Sequence, residues 1–564
     1  MKDEEANIQD SGKGEPLVKD NDPTDESQSK TKLFMLYGGT VGAVLLVVVI
    51  VFIISLKVGG SSSNKDEGGS LCAVYETKNE NENVTLISSK YKDYVSSIKV
   101  NGKKENFKEI YVFKKPDNYT VEIFFNKKLD TDTMEKMFKN CSHLKEVNLT
   151  NLKTENATSM AKMFYQNYHL QKVDFGGKAE GVTKMNHLFY SCFFLKQENI
   201  LNLNTSNAID MSYMFGKCTS LSTFDFEKID TQKVQTMKGF FYETTLKNLK
   251  FPENFAPELT DISEMFKDCT SLTKLDLKNL ETSKVTNMSQ LFYNCINLPS
   301  IELAPLDTTN VKDMSYLFYG CSKFTYIDLS RLEFSNVEDA QYMFAGCTGL
   351  TTLNLRRLNT NNVKNMRYMF YRLTGVTSLD LSNFATNKVT SMEGMFDDCS
   401  SLTYLDLSSF ETSNVENMSF MFASSAKLSG IDLHNFNTQK VTTMYNMFYG
   451  CSNLTDFSLD SFDTSNLIVM SGMFYGCKSI TNLVLSKFET KKVEKMDQVF
   501  AYCSNLEYLD VRKFDTSLID KDTTYLFIGI NQEGKIIYNS DTFGAKFIAD
   551  NNIEKWEKED VAEN

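Results

Sequence analysis

From about residue 131 the chain repeats itself every 26 residues or so, through about sixteen copies. Aligned on one phenylalanine column, the copies run from Phe138, Phe164 and Phe189 through Phe292, Phe318 and Phe344 to Phe500 and Phe527. A period in the 20–29 range is that of leucine-rich repeats, roughly one supersecondary unit per copy. One such unit cannot bury its own apolar side. The copies must therefore stack and share one continuous core. That excludes the several globular domains that 564 residues would otherwise suggest. At a strand spacing of ~4.8 Å, sixteen stacked copies make a body on the order of 75 Å long.

Each copy has two halves. Ser271 to Leu280 reads SLTKLDLKNL, and its Leu275-Asp276-Leu277 core alternates in, out, in, as a short strand does. Ile327-Asp328-Leu329, Leu379-Asp380-Leu381, Leu405-Asp406-Leu407 and Ile431-Asp432-Leu433 repeat it. Thr282 to Phe292 reads TSKVTNMSQLF, with Val285, Met288, Leu291 and Phe292 spaced as one face of a helix. Thr282 and Ser283 stand where an N-cap belongs. Gly320, Gly346, Gly450 and Gly476 stand where helix C-caps belong. The spacing predicts an α/β leucine-rich-repeat-like solenoid of strand–helix repeats.

Residues 1–32 are polar and read as a disordered cytoplasmic tail. Leu33 to Leu56 are uncharged and bracketed by Lys32 and Lys57. They predict a single transmembrane helix that anchors the chain, too long and too far from the start for a cleaved leader. Residues 57–70 are a Gly/Ser linker, 71–130 a β-rich N-terminal cap with a turn at Asn101-Gly102, 131–528 the solenoid, and 529–564 a C-terminal cap and tail. Lysines before the span slightly favour a cytoplasmic N-terminus. N-x-S/T triplets at Asn83, Asn118, Asn140, Asn148, Asn156, Asn204, Asn287, Asn417 and Asn453 point the same way, although a chain this rich in Asn, Ser and Thr makes some by chance. The repeats are expected outside the cell, on a single-pass membrane protein.

The units MSYLFYGCSKFTYIDLSRL and VTTMYNMFYGCSNLTDFSLDSFDTSNL resemble the BspA-type leucine-rich-repeat surface proteins, also called the mycoplasma lipoprotein-associated repeat family. The resemblance covers about residues 131–528. It implies a cell-surface protein that binds host proteins or other cells, with no shared catalytic residues. An N-terminal anchor behind a cytoplasmic-style tail departs from that pattern.

Three columns carry chemistry. Cysteines stand three residues after the phenylalanine, at Cys269, Cys295, Cys321, Cys347, Cys451, Cys477 and Cys503 among others, with Leu, Ser or Asn167 in some copies. Neighbours ~5 Å apart are close enough for disulfides, but parallel stacking spoils the dihedral, so a structural ladder of buried free thiols is the favoured reading. A line of ligands makes no zinc tetrahedron. The strand aspartates, Asp276, Asp328, Asp380, Asp406 and Asp432, face outward and form a candidate binding face for a basic partner or cations, or else only a solvated one. Tyrosines follow the phenylalanine (Tyr190, Tyr293, Tyr319, Tyr371, Tyr449, Tyr475) or precede it by two (Tyr213, Tyr316, Tyr342, Tyr368). Packing between coils is favoured for them over anchoring a partner.

Catalysis has little to stand on. His143, His169, His187 and His434 are isolated, and no nucleophile, phosphate-binding or zinc motif is present. No catalytic residue, cofactor or metal is expected. The irregular copies near Asp174–Leu203 and Leu249–Glu258 are where an enzyme site would have to lie. A net charge of −13 disfavours nucleic acid. The sequence favours binding or adhesion to a protein or glycan on another cell or matrix, by avidity along a repeated face. The alternative is a receptor that signals through its short N-terminal tail.

Overall fold

The computed structural model describes residues 67–129, 134–519, 525–549 and 551–562. The tail at 1–32 and the apolar segment at 33–56 lie outside them.

The N-terminal part is antiparallel. Strand β1 (Gly69–Glu76) pairs with β6 (Asn118–Phe125), which pairs with β3 (Val95–Val100), which pairs with β4 (Lys103–Glu105). Strands β2 (Glu82–Thr85) and β5 (Ile110–Phe113) form a separate antiparallel pair. On its other edge β1 runs antiparallel to β7 (Leu144–Asn148), and from β7 onward pairing is parallel, first with β8 (Lys172–Asp174) and then β9 (Ile200–Leu201). Strand β1 thus covers the first edge of the stack, which would otherwise template another chain.

The repeats form a β-solenoid of about sixteen coils. Two parallel ladders join successive coils. One is the short strand of each copy, seen as β10 (Asn248–Lys250) with β11 (Lys274–Asp276), β12 (Tyr404–Asp406) with β13 (Gly430–Asp432), and β14 (Asn482–Val484) with β15 (Tyr508–Asp510). The second is a single-residue bridge per coil, unbroken from Ser159 through Asn287, Asp313, Asp339 and Asn417 to Lys495.

The strand–helix expectation is overturned here, because the apolar face from Val285 to Phe292 is not a helix. Its amide hydrogens alternate between two kinds of acceptor. Met288, Gln290, Phe292 and Asn294 donate to the next coil, at Asp313, Ser315, Leu317 and Tyr319, over 2.7–3.0 Å. Leu291, Tyr293 and Cys295 donate three residues back, to Met288, Gln290 and Phe292. A helix would send every one of them four residues back. The segment is a row of overlapping β-turns. It is kept from winding into a helix by left-handed residues at Gln290 (φ 57°) and Asn294 (φ 54°). Each coil repeats those two positions: the first as Tyr316, Tyr342, Gly394 and Gly472, the second as Gly320, Gly346, Gly450 and Gly476. The supposed C-cap glycines are the second of these columns. The supposed N-cap, Thr282, is buried, and its hydroxyl donates to the Asp307 carbonyl of the next coil at 2.9 Å. Among the described residues the only α-helical turn is α1 (Ala545–Ile548), beyond the repeats. No helix among them is long and apolar enough to cross a membrane, and the expected transmembrane helix at 33–56 lies outside them.

The inward face is as apolar as its spacing requires. Leu275, Leu277, Val285, Met288, Leu291, Phe292 and Cys295 are all buried, and so are most of their counterparts from coil to coil, with Leu203, Phe224 and Phe457 half-buried. The column phenylalanines stack along the axis, with ring centroids 5.8 Å apart from Phe292 to Phe318 and from Phe318 to Phe344, and 6.0 Å from Phe344 to Phe370. The far end closes with β16 (Lys535–Tyr538) and β17 (Glu557–Asp560), added in parallel to β15. Trp556, the single tryptophan of the chain, is buried there and donates Nε1 to the Asn531 carbonyl at 2.9 Å. Strand β17 reads EKED and is fully exposed. Charges on a terminal edge discourage further strand addition.

Candidate interaction surface

The cysteine column faces the interior. Cys269, Cys295, Cys321, Cys347, Cys451, Cys477 and Cys503 are buried, free thiols. Each donates its Sγ hydrogen to the column phenylalanine carbonyl of the coil before, at 3.0–3.2 Å. Asn167 and Ser425 make the same bond to Phe138 and Phe396, at 2.7 and 2.8 Å, which explains why Asn and Ser replace Cys in this column. Burial pushes the thiols up to about 12 at Cys269, Cys347, Cys451 and Cys503. A thiol held neutral is a poor nucleophile and a poor metal ligand.

The strand aspartates lie at the surface, and each is tied into its own turn. Asp276, Asp328, Asp406 and Asp432 accept the amide hydrogen two residues on, from Lys278, Ser330, Ser408 and His434, at 2.9–3.1 Å. This is an Asx-turn, and it gives the column a local reason to exist. Asp380 accepts from Ser382 through both backbone (3.2 Å) and hydroxyl (2.7 Å), and from Arg356 at 2.7 Å. Those donors hold its carboxyl down to about 2. The row is also broken. Asp406 pairs with Asp432, but Asp276 pairs with Lys250, and Asp510 lies between Val484 and Ile537.

The row of turns carries the tyrosines. Tyr316, Tyr342 and Tyr368 stack at 4.7 and 4.8 Å, and Tyr293 stacks on Tyr319 at 4.5 Å. Within a stack the ring faces cover each other, leaving edges toward solvent. His187 joins this surface, 4.9 Å from Tyr213, and burial holds its imidazole down to about 4. His143 lies 3.2 Å from Glu82, and His169 contacts Lys78 at 3.3 Å. The irregular copy near Leu249–Glu258 holds an aromatic cluster, with Phe226 stacked on Phe251 at 5.4 Å and meeting Phe255 at 4.5 Å. Among the described residues no three His, Cys, Asp or Glu side chains meet as a metal site.

One carboxylate interrupts the tyrosine column. Asp397 follows Phe396 where Tyr371 and Tyr449 stand in other coils. Burial, with the Asp398 carboxylate beside it, raises its pKa to about 7. The folded state then holds a proton that an unfolded Asp releases near ~3.9. Its contribution to stability is whole below that value and is lost as pH rises through 7. Asp397→Asn should therefore stabilise the chain at pH 8 by about 1–2 kcal/mol, discounted for partial exposure, and change little at pH 4. Urea midpoints at the two pH values check this.

Two inter-coil ladders, a buried phenylalanine–thiol core and two long solvent faces define a repeat protein of the β-solenoid class. The chain belongs to the family described as "Mycoplasma protein of unknown function, DUF285", which matches residues 111–178, 176–255, 260–378, 370–484 and 452–532. Among solved structures it is similar to a leucine-rich cell surface protein from Faecalibacterium prausnitzii A2-165, at 15% identity and a TM-score of 0.27, over 57% of this chain and 81% of that one. It is also similar to TLR13 in its complex with ssRNA13, at 14% identity and a TM-score of 0.20, over 75% of this chain and 65% of that one. Neither likeness is close enough to carry a functional statement. No curated protein matches the chain.

Proposed function

We propose that the chain is a cell-surface binding or adhesion protein of the BspA type, acting on a macromolecular partner without chemistry of its own. The observation that carries this reading is the bridge ladder running unbroken from Ser159 to Lys495. It holds the same outward columns in register, coil after coil. A partner with repeated contacts can then bind many coils at once, where avidity exceeds any single contact. The BspA-type sequence pattern supports a surface location. Exposed N-x-S/T asparagines at Asn83, Asn118, Asn156 and Asn453 fit it too. The inward thiols and turn-bound aspartates fit a scaffold better than an active site.

The test uses intact cells that carry the full-length chain. External protease should remove the repeats and lower attachment to host cells or matrix together. Repeats that stay protected, or attachment unchanged after their removal, would refute the reading.

A further inference from the structure

The tyrosine-bearing row of turns opens into a groove that crosses successive coils from Glu393 to Asp497, with a volume of about 840 Å³. Phe420 and Tyr445 form its corner, with ring centroids 5.1 Å apart and planes at 86°. This corner differs from the stacks on the same side. Phe420 occupies the first left-handed column, where its neighbours are Gly394 and Asn446, so no second ring of that column covers it. A phenylalanine at φ 58° is an uncommon occupant of that conformation. Tyr445 is 39% exposed. The groove is ringed by Glu393, Glu494 and Asp497, with Lys495 the single cation in its lining. Glu393 already pairs with Arg367 at 2.7 Å, which shows that a guanidinium is accommodated beside this surface. Asp497 accepts from the Ser471 hydroxyl at 2.7 Å and, as a carboxylate, has lone pairs to spare.

We infer that this groove is a docking site for a basic peptide segment of a protein partner, with a Lys or Arg side chain laid in the Phe420–Tyr445 corner and its charge met by Glu494 and Asp497. Aromatic faces attract cations through their quadrupole, and a carboxylate at the end of the side chain adds a charge-assisted hydrogen bond. A neutral saccharide could use the rings but has no need of the carboxylates, and an acidic segment would be repelled by them. The inference deepens the binding reading above and rests on it. It moves the recognition site from the strand aspartates, whose carboxylates are engaged in their own turns, to the row of turns.

The experiment is fluorescence anisotropy with a fluorescein-labelled hexalysine peptide and the purified full-length chain. The groove variants are Tyr445→Ala and the double change Glu494→Gln with Asp497→Asn. The control is Asp380→Asn with Asp406→Asn on the strand face, which removes as much negative charge from elsewhere. All altered side chains are at the surface, and circular dichroism and Trp556 fluorescence verify that the fold is kept. Each groove variant should weaken binding about tenfold or more, and the control should not. No binding to the wild-type chain, equal loss in groove and control variants, or a neutral hexasaccharide competing for the groove would each overturn the proposal. Protease-sensitive attachment of cells alongside any of those results would leave the surface-binding function standing and remove only this site.

Discussion

Phe344→Ala should destabilise the solenoid by about 3–5 kcal/mol, the usual cost of emptying a phenylalanine-sized space in a packed core. Phe344 is fully buried and lies between the rings of Phe318 and Phe370. Its amide also donates to the Met369 carbonyl of the next coil at 3.0 Å. The cavity would therefore open at a junction between coils, and in a repeat array each coil is held mainly by its neighbours. The loss should divide the stack instead of lowering it uniformly. Urea unfolding should become broader, and limited proteolysis should find a new cut near this coil. Full cooperativity with an unchanged midpoint would mean that the phenylalanine column does not carry the core.

A second substitution separates the row of turns from the helix by the sign of its effect. Gly394 stands in the middle of the segment whose spacing imitates a helical face. In a helix, Gly→Ala there gains about 1 kcal/mol. In the solenoid Gly394 has φ 59°, and an added methyl would run into the Tyr368 ring, which is itself stacked on Tyr342. Left-handed strain and the displaced ring together should make Gly394→Ala destabilising by about 2–4 kcal/mol, read from the denaturation midpoint.

The period, the inward set and the stacking were legible in the sequence because each follows from which residues are apolar and how often they return. Val285, Met288, Leu291 and Phe292 do face the core. What misled was the belief that such spacing needs a helix. Overlapping turns with a left-handed residue every fourth position bring the same side chains to one side, so apolar periodicity cannot tell the two apart. Another signal was present. Gly394 and Gly472 fall inside the supposed helix, where glycine is costly, and Gln290 and Asn446 alternate with them in that column. Columns of Gly and Asn at fixed offsets mark left-handed backbone. Thr282 was readable as a cap only while its copy was considered alone. Its partner is in the next coil, and the recurrence of Thr at Thr308, Thr360, Thr386 and Thr412 was the trace of that contact.

The surface was less legible than the core. An outward aspartate in a strand reads as a binding group, yet its partner is the amide hydrogen two residues on, which the repeated Asp-x-Ser spacing at Asp328, Asp380 and Asp406 could have suggested. The Phe420–Tyr445 corner has no sequence signature. It arises because coils bring residues 25 apart into contact while their neighbours in the column are small.

Far-UV circular dichroism of the purified full-length chain tests the backbone account most directly. The solenoid should give the spectrum of a strand-and-turn protein with little helical signal, lost together with the burial of Trp556 on denaturation. A strong helical spectrum, of the size that a helix in every coil would produce, would contradict it.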